Sequence, residues 1–184
     1  MVRKLMSLML AFMVVGLFTF TASAQKKPVQ YVGTKKCKMC HNSKKSGGQF
    51  KIWMGSAHAK AFEVLASEEA KAVAKKKGIA DPQKSDQCLN CHVTGYGKDA
   101  SMFAASFKQT EGVGCESCHG PGSVYKSMKI MKGIAAGKMK AADYSLVMSD
   151  EKQCVTCHNE KSPTYKAFDF KTSWAKIAHP TPKK

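Results

Sequence analysis

Apolar positions in this chain form one long block and then only short bursts. The block runs from Leu5 to Phe20 behind the basic head Met1-Val2-Arg3-Lys4 and closes on Ala22-Ser23-Ala24. It is shorter than the roughly 20 residues a membrane-spanning helix needs. A basic head, an apolar middle and a small-residue exit make a secretory signal peptide cut after Ala24. Residues 1–24 are therefore expected to be removed, leaving residues 25–184 as one exported, periplasmic domain with no transmembrane anchor.

Beyond the block, residues 25–36 read as a polar lead-in, and Gly47-Gly48 marks a loop. From about Lys51 to Lys77 the period is helical, with Trp53, Met54, Ala57, Ala61, Leu65 and Ala72 on the apolar side. Gly78 is the expected stop and Asp81-Pro82 a turn, while Lys75-Lys76-Lys77 suits a helix C-terminus. Asp86 is a candidate cap for one short helix and Ser149 or Asp150 for another. Gly112, Gly114, Gly120, Pro121 and Gly122 predict tight turns and a close approach of backbone to a bound group. No segment alternates as a strand does. The expected fold is mainly α with long loops and little or no β.

Such a chain is poorly equipped to fill its own interior. It is rich in Lys, Ala, Gly and Ser, so a large apolar group must supply what the side chains do not. The cysteines indicate which group. All eight fall in pairs, Cys37/Cys40, Cys88/Cys91, Cys115/Cys118 and Cys154/Cys157, and the next residue each time is histidine: His41, His92, His119 and His158. In C-x-x-C-H, two thiols form thioethers to a haem and the adjacent imidazole reaches its iron. A disulfide framework or zinc sites would use the cysteines too, but neither needs a histidine after every pair. Four covalently bound haem c groups, packed together, are expected to organise the fold. The first cysteines of successive motifs are 51, 27 and 39 residues apart, so the motifs do not form a regular repeat.

Six histidines serve four irons. After the four motif histidines only His58 and His179 are left as second ligands. At least two haems must then be open, bound by methionine or another group, or completed by a second subunit, and that choice sets reactivity. His58 is placed on the predicted helix behind Trp53, and His179 ends the amphipathic stretch Phe168–Ala178. Both are candidate ligands.

The chain resembles the tetrahaem cytochrome c-554 family of ammonia-oxidising bacteria. The resemblance is carried by Lys35-Lys36-Cys37-Lys38-Met39-Cys40-His41, by Trp53 through His58 with Ala59-Lys60-Ala61, by Cys91-His92-Val93-Thr94-Gly95-Tyr96-Gly97, and above all by the block from Gly112 to Gly122. It implies His58 opposite His158 on the fourth haem, His179 opposite His119 on the third, and an open, five-coordinate second haem on His92. For the first haem, on His41, the family uses a histidine beyond the Gly-Pro-Gly turn. Here Ser123 to Met131 holds none. Met128 is the first candidate to replace it, ahead of Met131 and then Lys129, whose amine would have to lose a proton; such methionines also serve as gap-fillers.

Charge narrows the partners. The whole chain carries 30 basic and 13 acidic side chains, and haem propionates would offset only part of the excess. A basic surface favours an acidic redox partner, and export argues against nucleic acid. The leading expectation is an electron carrier between redox proteins rather than an enzyme. By resemblance its donor is a hydroxylamine oxidoreductase-like enzyme, and its acceptor is unassigned. Two alternatives are reduction of nitric oxide or a similar small molecule at the haem of His92, and a subunit of a filament or complex whose neighbour supplies the missing ligands.

Overall fold

The computed structural model describes residues 28–180. The expected signal peptide, residues 1–24, lies outside them. Eight short α-helices are joined by 3₁₀ turns and loops: α1 Thr34–His41, α2 Gln49–Met54, α3 Glu68–Lys76, α4 Asp86–His92, α5 Cys115–His119, α6 Met128–Ala135, α7 Glu151–Cys154 and α8 Phe170–Ile177. Among the described residues there is no strand, only one isolated parallel bridge between Tyr31 and Phe103. No helix among them is long and apolar enough to cross a membrane.

The predicted helix over Lys51–Lys77 is in fact four pieces. α2 stops at Met54, because Gly55 closes it and Ser56 turns extended. A 3₁₀ turn, Ala57–Lys60, carries His58, so that histidine is not on an α-helix. A second 3₁₀ turn, Glu63–Ala66, follows, and Ser67 then caps α3 by accepting from the Ala70 N–H. Serines at 56 and 67 offer the backbone local alternatives to the helical ladder. The buried face is shifted as well: Ala61, Leu65 and Ala74 are buried, while Ala72 faces solvent.

The end of α3 follows its chemistry. Gly78 takes φ +69, its N–H bonds to the Lys75 carbonyl at 3.1 Å, and the Ile79 N–H reaches back to Ala74 at 2.9 Å. This pair of bonds is a Schellman closure, which glycine permits at no steric cost. Asp81 then accepts from the Gln83 N–H in the expected turn. Asp150 caps α7 by accepting from the Gln153 N–H. Asp86 does not cap α4: Ser85 holds that position without a side-chain bond, and Asp86 accepts from the Tyr96 hydroxyl at 2.6 Å.

Residues 25–36 are more than a polar lead-in. Tyr31, Val32 and Thr34 are buried, and Tyr31 packs on Phe103 and Phe107. The protein core is nonetheless small. Its buried hydrophobics are Tyr31, Val32, Ala61, Leu65, Ala74, Leu89, Val93 and Tyr125, and no large side chain is fully enclosed. A fully buried core residue usually touches 6–12 others; here most large apolar side chains keep an open side.

Candidate haem-binding site

Each of the first three motifs is built the same way. Its two cysteines lie three apart on a short helix, which puts both sulfurs on one face, and the helix ends on the histidine: α1 on His41, α4 on His92, α5 on His119. In the fourth, α7 ends at Cys154 and a turn carries Cys157 and His158. No disulfide joins any of the eight motif cysteines.

Three motif histidines have their Nδ1 held. That of His41 lies 3.3 Å from the Gln49 side-chain oxygen, that of His92 lies 2.5 Å from the Ala61 carbonyl, and that of His119 lies 3.0 Å from the Val147 carbonyl. An Nδ1–H donating to oxygen leaves Nε2 unprotonated, the form a metal accepts. His158 is oriented differently, stacked on Phe168 with ring centres 4.7 Å apart.

Facing these rings are the two remaining histidines. His58 and His158 have ring centres 5.9 Å apart, and His119 and His179 are 5.7 Å apart. With metal–imidazole bonds of about 2 Å, one metal ligated from opposite sides holds ring centres roughly 6 Å apart, so both spacings suit an iron between two imidazoles. Burial and His158 lower the pKa of His58. Burial of the ring, then His119 and His41, lower that of His179, although the residue as a whole is solvent-exposed. Both shifts favour the neutral imidazole that ligation requires. His41 and His92 have no histidine ring stacked against them. Met128 opens α6 with 61% of its surface exposed, and Met131 is half-buried. Among the described residues no three or more His, Cys, Asp or Glu converge as a closed zinc site would need.

The motifs are also contiguous. Cys37 lies against Cys115, whose sulfur, ahead of burial, raises its pKa. Cys118, partly buried, lies beside Cys154 and Cys157. Burial and the neighbouring Cys157 push Cys91 up to about 11. Thioether formation would end these titrations but not the closeness they register. The first motif thus adjoins the third, the third adjoins the fourth, and the fourth adjoins the second.

The third motif is the hub, and two glutamates make it so. Glu116, inside Cys115-Glu116-Ser117-Cys118-His119, is 3% exposed and accepts from the N–H groups of Val32, Gly33 and Gly122 at 2.6–3.0 Å. Burial nonetheless raises its pKa against those donors. Glu111 accepts from the backbone and hydroxyl of Thr34 at 2.7 and 2.8 Å. Sequence reasoning missed both. The available signal was two acids inside a glycine-rich block of a basic chain. Thr94, just past the second motif, bonds Gly112, Gly114 and Ser117, and Gln153 of the fourth motif donates to the Ser117 carbonyl.

Two glycines of this block, Gly112 and Gly120, approach protein backbone closely. Gly112 has φ +71, and a Cβ on it would meet the His58 carbonyl at 2.9 Å. That carbonyl accepts from the Val113 N–H at 3.1 Å, and the Trp53 indole donates to the Val113 carbonyl at 2.8 Å. His58 is therefore pinned to the strand of chain entering the third motif.

Residues 36–120 match the family described as Cytochrome c554 and c-prime. Over those residues the chain is similar to that family. It is also 34% identical over 160 residues to cytochrome c-554 of Nitrosomonas europaea, an alignment covering 78% of this chain and 64% of that protein. The chain thus spans less than two thirds of the length of that relative. No solved structure matches the chain. The likeness to cytochrome c554 proteins implies a c-type cytochrome with covalently bound haem c, and the motif cysteines and histidines fit that group. The free paired thiols, the Nδ1-anchored imidazoles and the two facing ring pairs are the donor set it needs.

Proposed function

We propose that this protein is a periplasmic tetrahaem cytochrome that carries electrons between redox proteins, its four haems packed in the order first, third, fourth, second. The observation that carries the reading is the contiguity of the four motifs, Cys37 to Cys115, Cys118 to Cys154 and Cys157, and Cys157 to Cys91. Haem iron, when bound, supplies a site that stores and releases one electron. The chain's own residues attach, orient and tune it. Eight cysteines tether the groups. Gln49, Ala61 and Val147 fix the imidazole tautomers, and His58 and His179 supply second ligands opposite His158 and His119. Met128 is the candidate second ligand at the first motif.

A second reading, small-molecule binding at the second motif, is favoured by one observation. His92 has no histidine facing it, and its motif lies in the molecule's main apolar cluster, Leu65, Leu89 and Val93 with Phe62 and Tyr96 packed on them. The relation to the Nitrosomonas protein supports redox-protein partners of the kind such cytochromes serve.

Haem counting on the purified holoprotein tests the carrier reading. Four haems per chain are expected, with two or more low-spin in the monomer. Fewer than four, or low-spin haem only in an oligomer, would overturn the order proposed here. Carbon monoxide binding to one ferrous haem per chain is the outcome expected of an open site at His92.

A further inference from the structure

The distribution of charge around the four motifs is unequal in a way that the carrier reading leaves unexplained. From the first residue to Phe62 the chain has no aspartate or glutamate, so every acidic side chain follows the first motif. The described part of that stretch carries Lys35, Lys36, Lys38, Lys44, Lys45, Lys51 and Lys60. All are exposed, and none is in an ion pair among the described residues. The other motifs are mixed. Asp81 and Asp86 flank the second, Glu111 and Glu116 are built into the third, and Asp150, Glu151 and Glu160 surround the fourth.

The lysines frame an apolar point. Met39, between the two cysteines of the first motif, is 80% exposed, the highest value among the large exposed hydrophobics. It lines an open groove of about 450 Å³ with Lys35, Lys38, Cys40, Asn42 and Ser43. Of the eight haem-attaching cysteines, Cys40 alone is exposed. An apolar centre with a charged rim is the anatomy of a protein interface, and complementary charge speeds encounter.

We infer that the face formed by α1 and the Lys44–Ser46 turn is the docking port of this cytochrome, taking an acidic redox protein at the first motif. The inference rests on the carrier reading and adds which motif meets the partner. At the port one electron crosses. The reduced partner is oxidised by one electron and one ferric iron of the holoprotein becomes ferrous, with no bond made or broken.

A plant-type ferredoxin, an acidic one-electron protein, is a suitable probe for the holoprotein. Two triple variants are compared with the unmutated protein: Lys35→Glu/Lys44→Glu/Lys45→Glu on the port, and Lys132→Glu/Lys138→Glu/Lys140→Glu on α6 and beyond, equal in charge change and also exposed. Binding of oxidised ferredoxin to oxidised cytochrome, in which no electron moves, is read by calorimetry at low ionic strength. Reduction by reduced ferredoxin is read by stopped flow. The port variant is expected to lose about tenfold or more in both, with the difference shrinking as salt is raised. The control variant should lose about threefold at most, as a change in net charge alone predicts. Equal losses in the two variants overturn the port at the first motif while leaving the carrier reading standing. If the unmutated holoprotein, reducible by dithionite, neither binds ferredoxin nor accepts its electron at any salt, the carrier reading fails and the port with it.

Discussion

The third and second motifs are held by opposite means. Around the third, chain segments distant in sequence are tied by hydrogen bonds to a buried carboxylate, Glu116, with Tyr125 buried nearby and its hydroxyl on the Gly120 carbonyl. Around the second, Leu65, Leu89, Val93 and Phe62 make an apolar cluster, and the polar contacts, His92 on Ala61, Tyr96 on Asp86 and Thr94 on the Gly112–Ser117 segment, involve no buried carboxylate. A haem needs apolar surroundings, yet a chain with few large apolar residues cannot supply them on every side. Where backbone must pass close beside two motifs at once, its N–H groups need acceptors, and Glu116 provides them. Where a motif is flanked by an apolar cluster, as the second is, side-chain packing carries more of the load. The first region should therefore answer to loss of hydrogen bonds and to pH, the second to loss of volume.

The largest effect should come from Glu116→Ala, which leaves three buried N–H groups without an acceptor. A loss of about 3–5 kcal/mol is expected in denaturant unfolding of the holoprotein; a loss under about 1 kcal/mol would mean that water replaces the carboxylate and that the two regions do not differ in kind. Leu65→Ala should cost about 2–4 kcal/mol by opening a cavity beside the second motif, with the same cost at acid and neutral pH. A pH-dependent cost there would erase the contrast.

Gly112→Ala probes the joint between the two regions. Its φ of +71 and the 2.9 Å approach to the His58 carbonyl predict a cost of about 1–3 kcal/mol. Because His58 moves with that carbonyl, a fraction of low-spin haem should be lost in the electronic spectrum. An unchanged spectrum would show that His58 is positioned independently of the third motif.

The pH dependence is subtler. Burial raises the folded pKa of Glu116 above its unfolded value, so the native state binds the proton more tightly than the unfolded state does. Its contribution to stability is fully present below the ordinary glutamate range and is lost as pH rises through the raised pKa. Glu116→Gln should flatten the fall in stability just above the ordinary glutamate range, as read from thermal midpoints at a series of pH values; an identical slope would place the titration elsewhere. The smallest effect on stability is expected of Met128→Ala, since that side chain is mostly exposed. Its sharper readout is loss of the weak red absorption of iron–methionine bonding, and persistence of such a band would remove Met128 from the first motif.

Much of this was readable in advance where the cause is local. A C-x-x-C-H run states its own chemistry, and the helices ending on His41, His92 and His119 follow from that spacing. Gly78 closes α3 because it lacks a Cβ, and Asp150 caps α7 through its carboxylate. The helical apolar spacing over Lys51–Lys77 does not give one continuous helix because Gly55, Ser56 and Ser67 break it. Tyr31 and Val32 sit in a polar-looking segment because their burial depends on Phe103, Phe107 and Glu116, more than 65 residues away.

The sequence by itself determined the chemistry of attachment, because a thioether-forming pair and its neighbouring imidazole lie within five residues and need no distant partner. It determined the count of histidines and the basic character of everything before Glu63 as well. Only the tertiary structure decided which ring faces which, that the motifs adjoin in the order first, third, fourth, second, and that a buried glutamate anchors the hub. Those are contacts between residues from tens of positions to a hundred positions apart. They arise because backbone N–H groups beside Cys115 must be satisfied and because the short helices can close on one another only through the segments that Glu116 and Thr94 tie down.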